Sequence, residues 1–383
     1  MTDLGLVLVH YHTPHLAAAA VDRLRSVARA DGVALTIALV DNGSDQDGTA
    51  MLRSLATSAD LQLVEPGRNL GYAGAANLAV AMLGAPRLGL MNSDVLVLPG
   101  CLRALVEALD AGAGVAGPRH YWDDGLRLML PPGERRGLFS ELVATLGRHS
   151  SSWTGVARAR WRSHARRHWL ASGPVEGELS GAMLVFTAST WLAAGPLDEG
   201  YRLYFEETDW LARARRAGAG VRYVPAATAV HLYAQSTALE PAAASWFAAS
   251  AERFRREHYG VLANAVLRRI ERRAVPGCSF PPGPSAGPAV PPGEHWYEVS
   301  TEPAGYPAAG ERWTGRPRDW RLPVEIERRH PGVGLFVRVV DPSGRELARH
   351  RFTPHESGGE PRPLLGGTAA IVDRDGRAGR DVE

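Results

Sequence analysis

Lysine is absent: all 43 basic side chains of this 383-residue chain are arginine. Arginine is thus the general-purpose cation here, and its abundance alone is no sign of phosphate recognition. Against 41 acidic residues the formal net charge is +2, so no strong basic balance argues for a nucleic-acid partner. Cysteine is nearly absent too. Cys101 and Cys278 lie far apart and form neither a disulfide framework nor a metal-ligand pattern, which suits a reducing compartment. No apolar run approaches the ~20 residues of a spanning helix. The opening Met1-Thr2-Asp3, followed by an apolar run, lacks a signal-peptide layout. These absences lead to the expectation of a cytoplasmic protein, either soluble or held peripherally at the inner face of the plasma membrane.

What is present is a rhythm. Residues 4–9, 35–40, 61–64 and 88–91 are short apolar runs that read as buried parallel strands. Between them lie stretches of helical spacing at 16–30, around Met51, Leu52 and Leu55, and from the glycine-rich segment 69–77 to about Leu83. Strands alternating with helices predict a doubly wound α/β fold with a mostly parallel sheet. Three of the runs end in polar residues: His10-Tyr11-His12, Asp41, and Asn92-Ser93-Asp94. In an open α/β sheet the carboxyl ends of the strands are where ligands bind. The last of these stretches organises the chain: a buried strand delivers two hard-oxygen side chains, Asn92 and Asp94, which suits a divalent cation. By itself such a stretch is also ordinary turn chemistry, so the case depends on residues further on.

A helix is expected over 102–109 and a short strand over 115–117. The rhythm then breaks. Leu138, Phe139, Leu142, Val143 and Leu146 trace one helix face. A basic segment follows, with Trp153, Arg158, Arg160, Trp161, Arg162, Arg166, Arg167, His168 and Trp169. It admits two readings: an amphipathic helix against anionic headgroups, or a solvated helix whose tryptophans pack on the body. Regularity returns with an apolar run at 183–186, and Glu206, Glu207 and Asp209 crowd the start of a helix, where the dipole favours acids in any case. A strand at 221–224, a short apolar run ending in Val230-His231, and a long helix from Trp246 to about Arg273 complete the region. The chain divides into an α/β domain (1–274, with an insertion at 119–178), a Pro/Gly linker (275–294), a small all-β module (295–354) and a polar, disordered tail (355–383). Strands of the module are expected at 296–299, 322–326, 334–340 and 346–352.

Asp41, Asn92-x-Asp94, Glu206-Glu207 and His231, in that order, are more specific as a set than any one of them. With them come V-D-N-G-S-D (40–45), N-L-G-Y-A-G-A-A-N (69–77), M-N-S-D-V (91–95), S-G-A-M-L-V (180–185), L-D-E-G-Y…Y-F-E-E-T-D (197–209), R-Y-V-P…A-V-H (222–231) and R-F-R-R-E-H-Y-G (253–260). On these motifs residues 4–260 resemble the family 2 glycosyltransferases of the GT-A fold, in their bacterial rhamnosyltransferase-like branch. The resemblance implies an inverting, metal-dependent transfer of a sugar from a nucleotide-diphosphate donor to a hydroxyl of a cell-surface glycan or lipid-linked acceptor. The implied donor is dTDP-rhamnose, with a UDP- or GDP-sugar as the alternative. By the same resemblance His10, Tyr11, Asp41, Asn69, Gly71 and Asn92 serve the nucleotide donor, and Asp94 and His231 hold Mg²⁺ or Mn²⁺. Glu207 is then the base that takes the acceptor's proton, with Glu206 beside it, or even Asp209, as the alternative.

Two positions depart from the family pattern. Asn92 stands where the usual D-x-D motif has its first Asp, and Glu207 stands where an E-D pair has its Asp. A catalytically silent sugar- or nucleotide-binding relative is the alternative class, and transfer to a soluble natural product is an alternative for the acceptor. The intact Asp94, Glu207 and His231 argue against a silent protein. His10-Tyr11-His12-Thr13-Pro14 is unlike the glycine-rich, basic phosphate loop of a nucleotidyltransferase. The β module is open between binding acceptor glycan, forming a homo-oligomer and packing on the catalytic domain.

Overall fold

The computed structural model describes residues 3–233, 242–273, 280–285, 287–288 and 290–354. The chain runs β1 (Leu4–His10), α1 (Pro14–Asp31), β2 (Leu35–Asp41), α2 (Gln46–Leu55), β3 (Leu61–Val64), α3 (Gly71–Val80), β4 (Arg87–Asn92) and β5 (Val95–Val97). It continues through α4 (Cys101–Asp110), β6 (Val115–Tyr121), α5 (Leu138–His149), α6 (Ser151–Trp169), β7 (Val175–Glu176) and β8 (Met183–Thr187). Then come α7 (Ala188–Ala194), α8 (Glu206–Arg216), β9 (Val221–His231) and α9 (Ala243–Glu271). Every residue of β1 is buried, so it can only be an interior strand, covered on both faces. Its alternation sorts the core. Leu4, Leu6 and Leu8 join the cluster under α1 and α4, while Val7 and Val9 join the cluster under α3, α7 and α8.

The sheet order is β3-β2-β1-β4-β8-β6-β9-β5, with β7 on β9. Strands β3, β2, β1, β4, β6 and β9 run one way, and β8, β5 and β7 run against them. The expected mostly parallel α/β sheet is therefore present. Antiparallel β8 is wedged between β4 and β6. The two apolar runs expected near 221–224 and 230–231 are one strand, β9, whose register with β6 shifts at Pro118/Arg119.

The C-terminal module has β10 (His295–Ser300), β11 (Ala309–Trp313), α10 (Val324–Arg329), β12 (Leu335–Val340) and β13 (Glu346–Phe352). Its sheet is antiparallel, in the order β11-β10-β12-β13. Two expectations need correction here. Residues 322–326 are not a strand: Pro323 leads into α10, where an acidic first turn and a basic last turn suit the helix dipole. Strand β11 carries the non-alternating Ala309-Gly310-Glu311-Arg312-Trp313, and its pattern gave no sign of it. Gly310 is needed there because a Cβ at that position would enter the ring of Trp169.

That contact belongs to a broad fusion between insertion and module. Trp122 and Leu128 are buried in one apolar cluster with Tyr297, Val299, Trp320 and Leu335. Trp161, Ala165 and Trp169 of α6 are buried in another with Trp296, Ala308 and Val340. Three of the arginines of α6 point the same way. Arg162 forms a buried, bidentate pair with Glu298 (Nη2–Oε2 2.8 Å), Arg158 pairs with Glu346 (2.7 Å), and Arg166 donates to the Asp341 and Pro342 carbonyls. Of the two readings of the Trp/Arg segment, packing on the body is the one the structure takes. The face expected for α5 is also different: Leu138 and Phe139 are exposed, and Glu141, Val143 and Thr145 face inward because Glu141 is engaged by Arg255 at 2.8 Å. The described part of the Pro/Gly stretch lies on the module, with the Gly283 and Gly287 amides donating to the Arg351 and Trp320 carbonyls. The expected tail lies outside the described residues.

This fusion has a measurable consequence. Arg162→Met leaves the Glu298 carboxylate buried without its partner, a change that costs about 3–5 kcal/mol. Denaturant unfolding of the whole chain is expected to remain a single transition whose unfolding free energy is lowered by that amount and whose midpoint falls accordingly. Loss of only a minor early phase would mean that the module unfolds by itself.

Candidate active site

The site grows from the carboxyl end of β4. Beyond Asn92 the chain turns through Ser93-Asp94 into β5, and β5 pairs with β9 so that Val95 lies opposite His231. That register sets His231 Nε2 3.4 Å from Asp94 Oδ1, and the Leu232 amide donates to the Asp94 carbonyl at 2.9 Å. Asp94 is 4% exposed. Behind His231 sits His120, its ring centroid 5.7 Å away and its buried Nε2 without a hydrogen-bond partner. Burial, with His231 adding to it, pushes the His120 imidazole down to about 3, so this ring is neutral. One carboxylate oxygen and one imidazole nitrogen fit a hard divalent cation that takes its other ligands from phosphate oxygens and water. Among the described residues no group of three His, Cys, Asp or Glu side chains converges into a complete cage.

The ends of β1 and β2 lie beside it. Asp41 is buried and accepts from the Ser44 amide (2.9 Å) and the Thr49 hydroxyl (2.6 Å). Burial alone would raise its carboxyl, but these hydrogen bonds outweigh that and hold it below the ordinary aspartate value. His10 is fully buried, with Nε2 2.8 Å from the Ser44 hydroxyl, and burial lowers its imidazole to about 4. His10 and Asp41 thus fix the turn after β2 from behind. The next residue, Asn42, reaches forward. Its amide bonds Asn69 Oδ1 (3.2 Å) and the Gly71 carbonyl (3.3 Å), and its oxygen accepts from the Leu70 amide (2.8 Å). Asn77, the last residue of the glycine-rich motif, clamps the Leu197 amide and carbonyl and so anchors the loop that leads to the acidic cluster.

That loop ends in two successive residues with positive φ, Tyr204 (64°) and Phe205 (73°), a costly conformation for bulky side chains. Packing supports it: Phe205 is buried against Phe254 and Phe247, with the Arg136 guanidinium 4.4 Å from its ring centroid. The turn delivers Glu206 and Glu207 as the first residues of α8. Burial raises both carboxyls, that of Glu206 strongly, with the neighbouring Glu207 charge adding to the effect. Gly181 of the S-G-A-M motif makes room, since a Cβ there would lie 2.5 Å from Glu207 Cγ. Asp209, the third acid, pairs with Arg213 (2.7 Å) and His258 (2.9 Å) and is structural. The R-F-R-R-E-H-Y-G motif does the holding here, for Arg255 pairs with Glu141 and Glu271.

These residues surround two adjoining clefts. The first, about 310 Å³, is lined by Tyr11, Asn69, Gly71, Asn92, Glu206, Glu207 and His231 among others. The second, about 390 Å³, lies between the insertion and the β module, and it shares Ser180, Gly181, Glu207, His231 and Tyr233 with the first. His10, Asp41 and Asp94 stand behind the lining. Lining residues that sequence reasoning passed over include Asn42, Tyr72, Gly181, Arg202 and Trp246. Asn42, Tyr72 and Gly181 lie inside the motifs V-D-N-G-S-D, N-L-G-Y-A-G-A-A-N and S-G-A-M-L-V. Arg202, whose guanidinium lies 4.8 Å from the Trp246 ring centroid, had no pattern to mark it.

Comparison with known proteins identifies the family. Residues 7–169 match the family model described as glycosyl transferase family 2. Over 261 residues the chain is 33% identical to the N-acetylglucosaminyl-diphospho-decaprenol L-rhamnosyltransferase of Mycobacterium tuberculosis H37Rv, spanning 63% of this chain and 80% of that protein. Its counterpart from strain CDC 1551 matches equally. Among solved structures, S. aureus TarS (residues 1–349) aligns with a TM-score of 0.42 at 9% identity, covering 70% of this chain and 69% of TarS. The mannosyltransferase PcManGT from Pyrobaculum calidifontis, solved with GDP-Man and Mn²⁺, aligns with a TM-score of 0.42 at 15% identity, over 71% of this chain and 65% of that one. With a relative matched at that identity over four fifths of its length, and with its own motifs assembled around one cleft, the chain belongs to glycosyl transferase family 2 and is a glycosyltransferase.

Proposed function

We propose that the protein is an inverting, metal-dependent rhamnosyltransferase that moves L-rhamnose from a nucleotide diphosphate, dTDP in the first instance, to a hydroxyl of a lipid-linked glycan. The name of the mycobacterial relative supports the sugar and an acceptor of the N-acetylglucosaminyl-diphospho-polyprenol kind. The observation that carries the reaction type is the position of Glu207, which lines both clefts and so stands between two substrates. The donor lies in the first cleft along Tyr11, Asn69, Gly71 and Asn92, on a rim fixed by His10, Asp41 and Asn42. Asp94 and His231 would hold Mg²⁺ or Mn²⁺, which neutralises charge on the diphosphate when bound.

The acceptor oxygen attacks the anomeric carbon from the second cleft, the bond from that carbon to the diphosphate oxygen breaks, and its electron pair leaves with the diphosphate. Glu207 takes the acceptor's proton. Its raised carboxyl is suited to that, because a base close in affinity to the working pH both accepts and releases protons readily. Glu206, deeper and more strongly raised, keeps the pair's total charge low. The absence of a spanning helix among the described residues is compatible with reaching a lipid-linked substrate from the membrane surface.

Three outcomes are expected. Glu207→Gln lowers turnover by ~10²–10⁴-fold with nucleotide-sugar affinity unchanged; a greater loss in Glu206→Gln would move the base to that residue. Asp94→Ala removes the metal-dependent part of donor binding in calorimetry, and full wild-type transfer in excess chelator would exclude the metal. The third concerns pH. Because the folded state raises the Glu206 carboxyl above its unfolded value of 4.5, its stabilising contribution is present below that value and is lost as pH rises. Glu206→Gln escapes that loss, so its melting temperature relative to wild type climbs between about pH 4 and pH 8. A difference that stays constant with pH would remove the linkage.

A further inference from the structure

The second cleft has an asymmetry that the transfer reaction leaves unexplained. Its insertion side carries three exposed arginines, Arg135, Arg136 and Arg148. Elsewhere at this junction arginines are used: Arg127 pairs with Glu311, Arg158 with Glu346 and Arg162 with Glu298. Arg135 and Arg148 form no ion pair with any described carboxylate. Arg136 reaches only Glu141, at 3.3 Å, and that carboxylate is already taken by Arg255 at 2.8 Å. Glu178, also on the lining, is taken by Arg215 at 2.6 Å. The remaining acids of the lining are Glu207 and Glu134, neither of which forms an ion pair with a described arginine. Two of the four lining carboxylates are thus engaged by arginines from outside the cleft, and the guanidinium groups of Arg135 and Arg148 stay without an ion-pair partner among the described residues.

The opposite side belongs to the β module. Ser300, Thr301 and Tyr306 line it, and the Tyr306 hydroxyl is buried without a hydrogen-bond partner. Tyr306 lies close enough to Arg148 to feel its charge.

We propose that the β module is one wall of the acceptor site, and that Arg135, Arg136 and Arg148 bind a phosphate or diphosphate carried by the acceptor next to its reacting sugar. Forked guanidinium donors match phosphate oxygens in pairs, whereas an uncharged glycan would leave them unused. The place also fits. The second cleft reaches Glu207, whereas Asn69 and Gly71 line the first alone, so an acceptor anchored in the second presents its hydroxyl to the base. This inference rests on the second cleft being the acceptor side of the proposed transferase. The module's role is then specific to this chain: it supplies substrate contact as well as packing.

The test is equilibrium binding to the full-length protein by calorimetry, with a short-chain prenyl glycosyl diphosphate, the same sugar as a neutral alkyl glycoside, and a nucleoside diphosphate as probes. Wild type is expected to bind the glycosyl diphosphate at least about tenfold tighter than the neutral glycoside. The double variant Arg135→Ala/Arg148→Ala erases that preference, and Thr301→Trp on the module wall weakens the same probe. Both variants keep nucleoside diphosphate affinity, which also reports that they are folded. Unchanged preference in the double variant, or absence of preference in wild type, overturns the anion site. Loss of nucleoside diphosphate binding instead would give these arginines to the donor and overturn the assignment as well. The transferase reading stands or falls separately, on whether wild type releases nucleotide from a nucleotide sugar.

Discussion

The site depends on keeping two adjacent carboxyls out of water. Glu206 and Glu207 cannot both be charged at low cost in a buried position, so burial shifts both carboxyls upward, Glu206 the more strongly. Much of the surrounding structure exists to enforce this arrangement. Tyr204 and Phe205 adopt left-handed conformations to aim the pair, α9 packs Phe254 beneath them, and Gly181 leaves space for the Glu207 side chain. Local strain at one turn is supported by aromatic packing drawn from elements more than 40 residues away, as between Phe205 and Phe254.

Around that pair the fold separates duties between residues that touch the clefts and residues that hold them. Asn42 presents its amide to the glycine-rich loop while its neighbour Asp41 ties down the turn. His231 lines both clefts, whereas His120, a neutral ring beside it, lines only the second. Asp209 and His258 fix α8, while Glu207 lines both clefts. The same residue types recur in both roles, and only geometry tells them apart.

This division explains what could be read from the sequence. The strands of the sheet, their polar ends and the order of Asp94, Glu207 and His231 are local signals: apolar runs ending in oxygen-bearing side chains. The insertion was opaque because its logic is non-local. Helix α6 has an amphipathic, basic surface pattern, yet Arg158, Arg162 and Trp169 find partners at Glu346, Glu298 and Trp296, far along the chain. Strand β11 escaped notice because Gly310 and Glu311 occupy positions where alternation calls for packing residues: one makes room for Trp169, and the other answers Arg127. For the same reason Leu138 and Phe139 looked like core while Glu141, with Arg255 waiting for it, was the residue that went inside.

The shared tryptophan cores bear on how the chain comes off the ribosome. Synthesis runs from the N-terminus, so Trp122, Trp161 and Trp169 are made long before β10, β12 and the residues of the module that cover them. Until the last strand emerges, the insertion carries uncovered indole rings and unanswered arginines, while the sheet around β1 already has its own helices. The second cleft consequently cannot form until the module's strands have been made. An emerging catalytic half needs shielding from its neighbours during that interval, and a ribosome stalled before β12 would display an exposed aromatic surface.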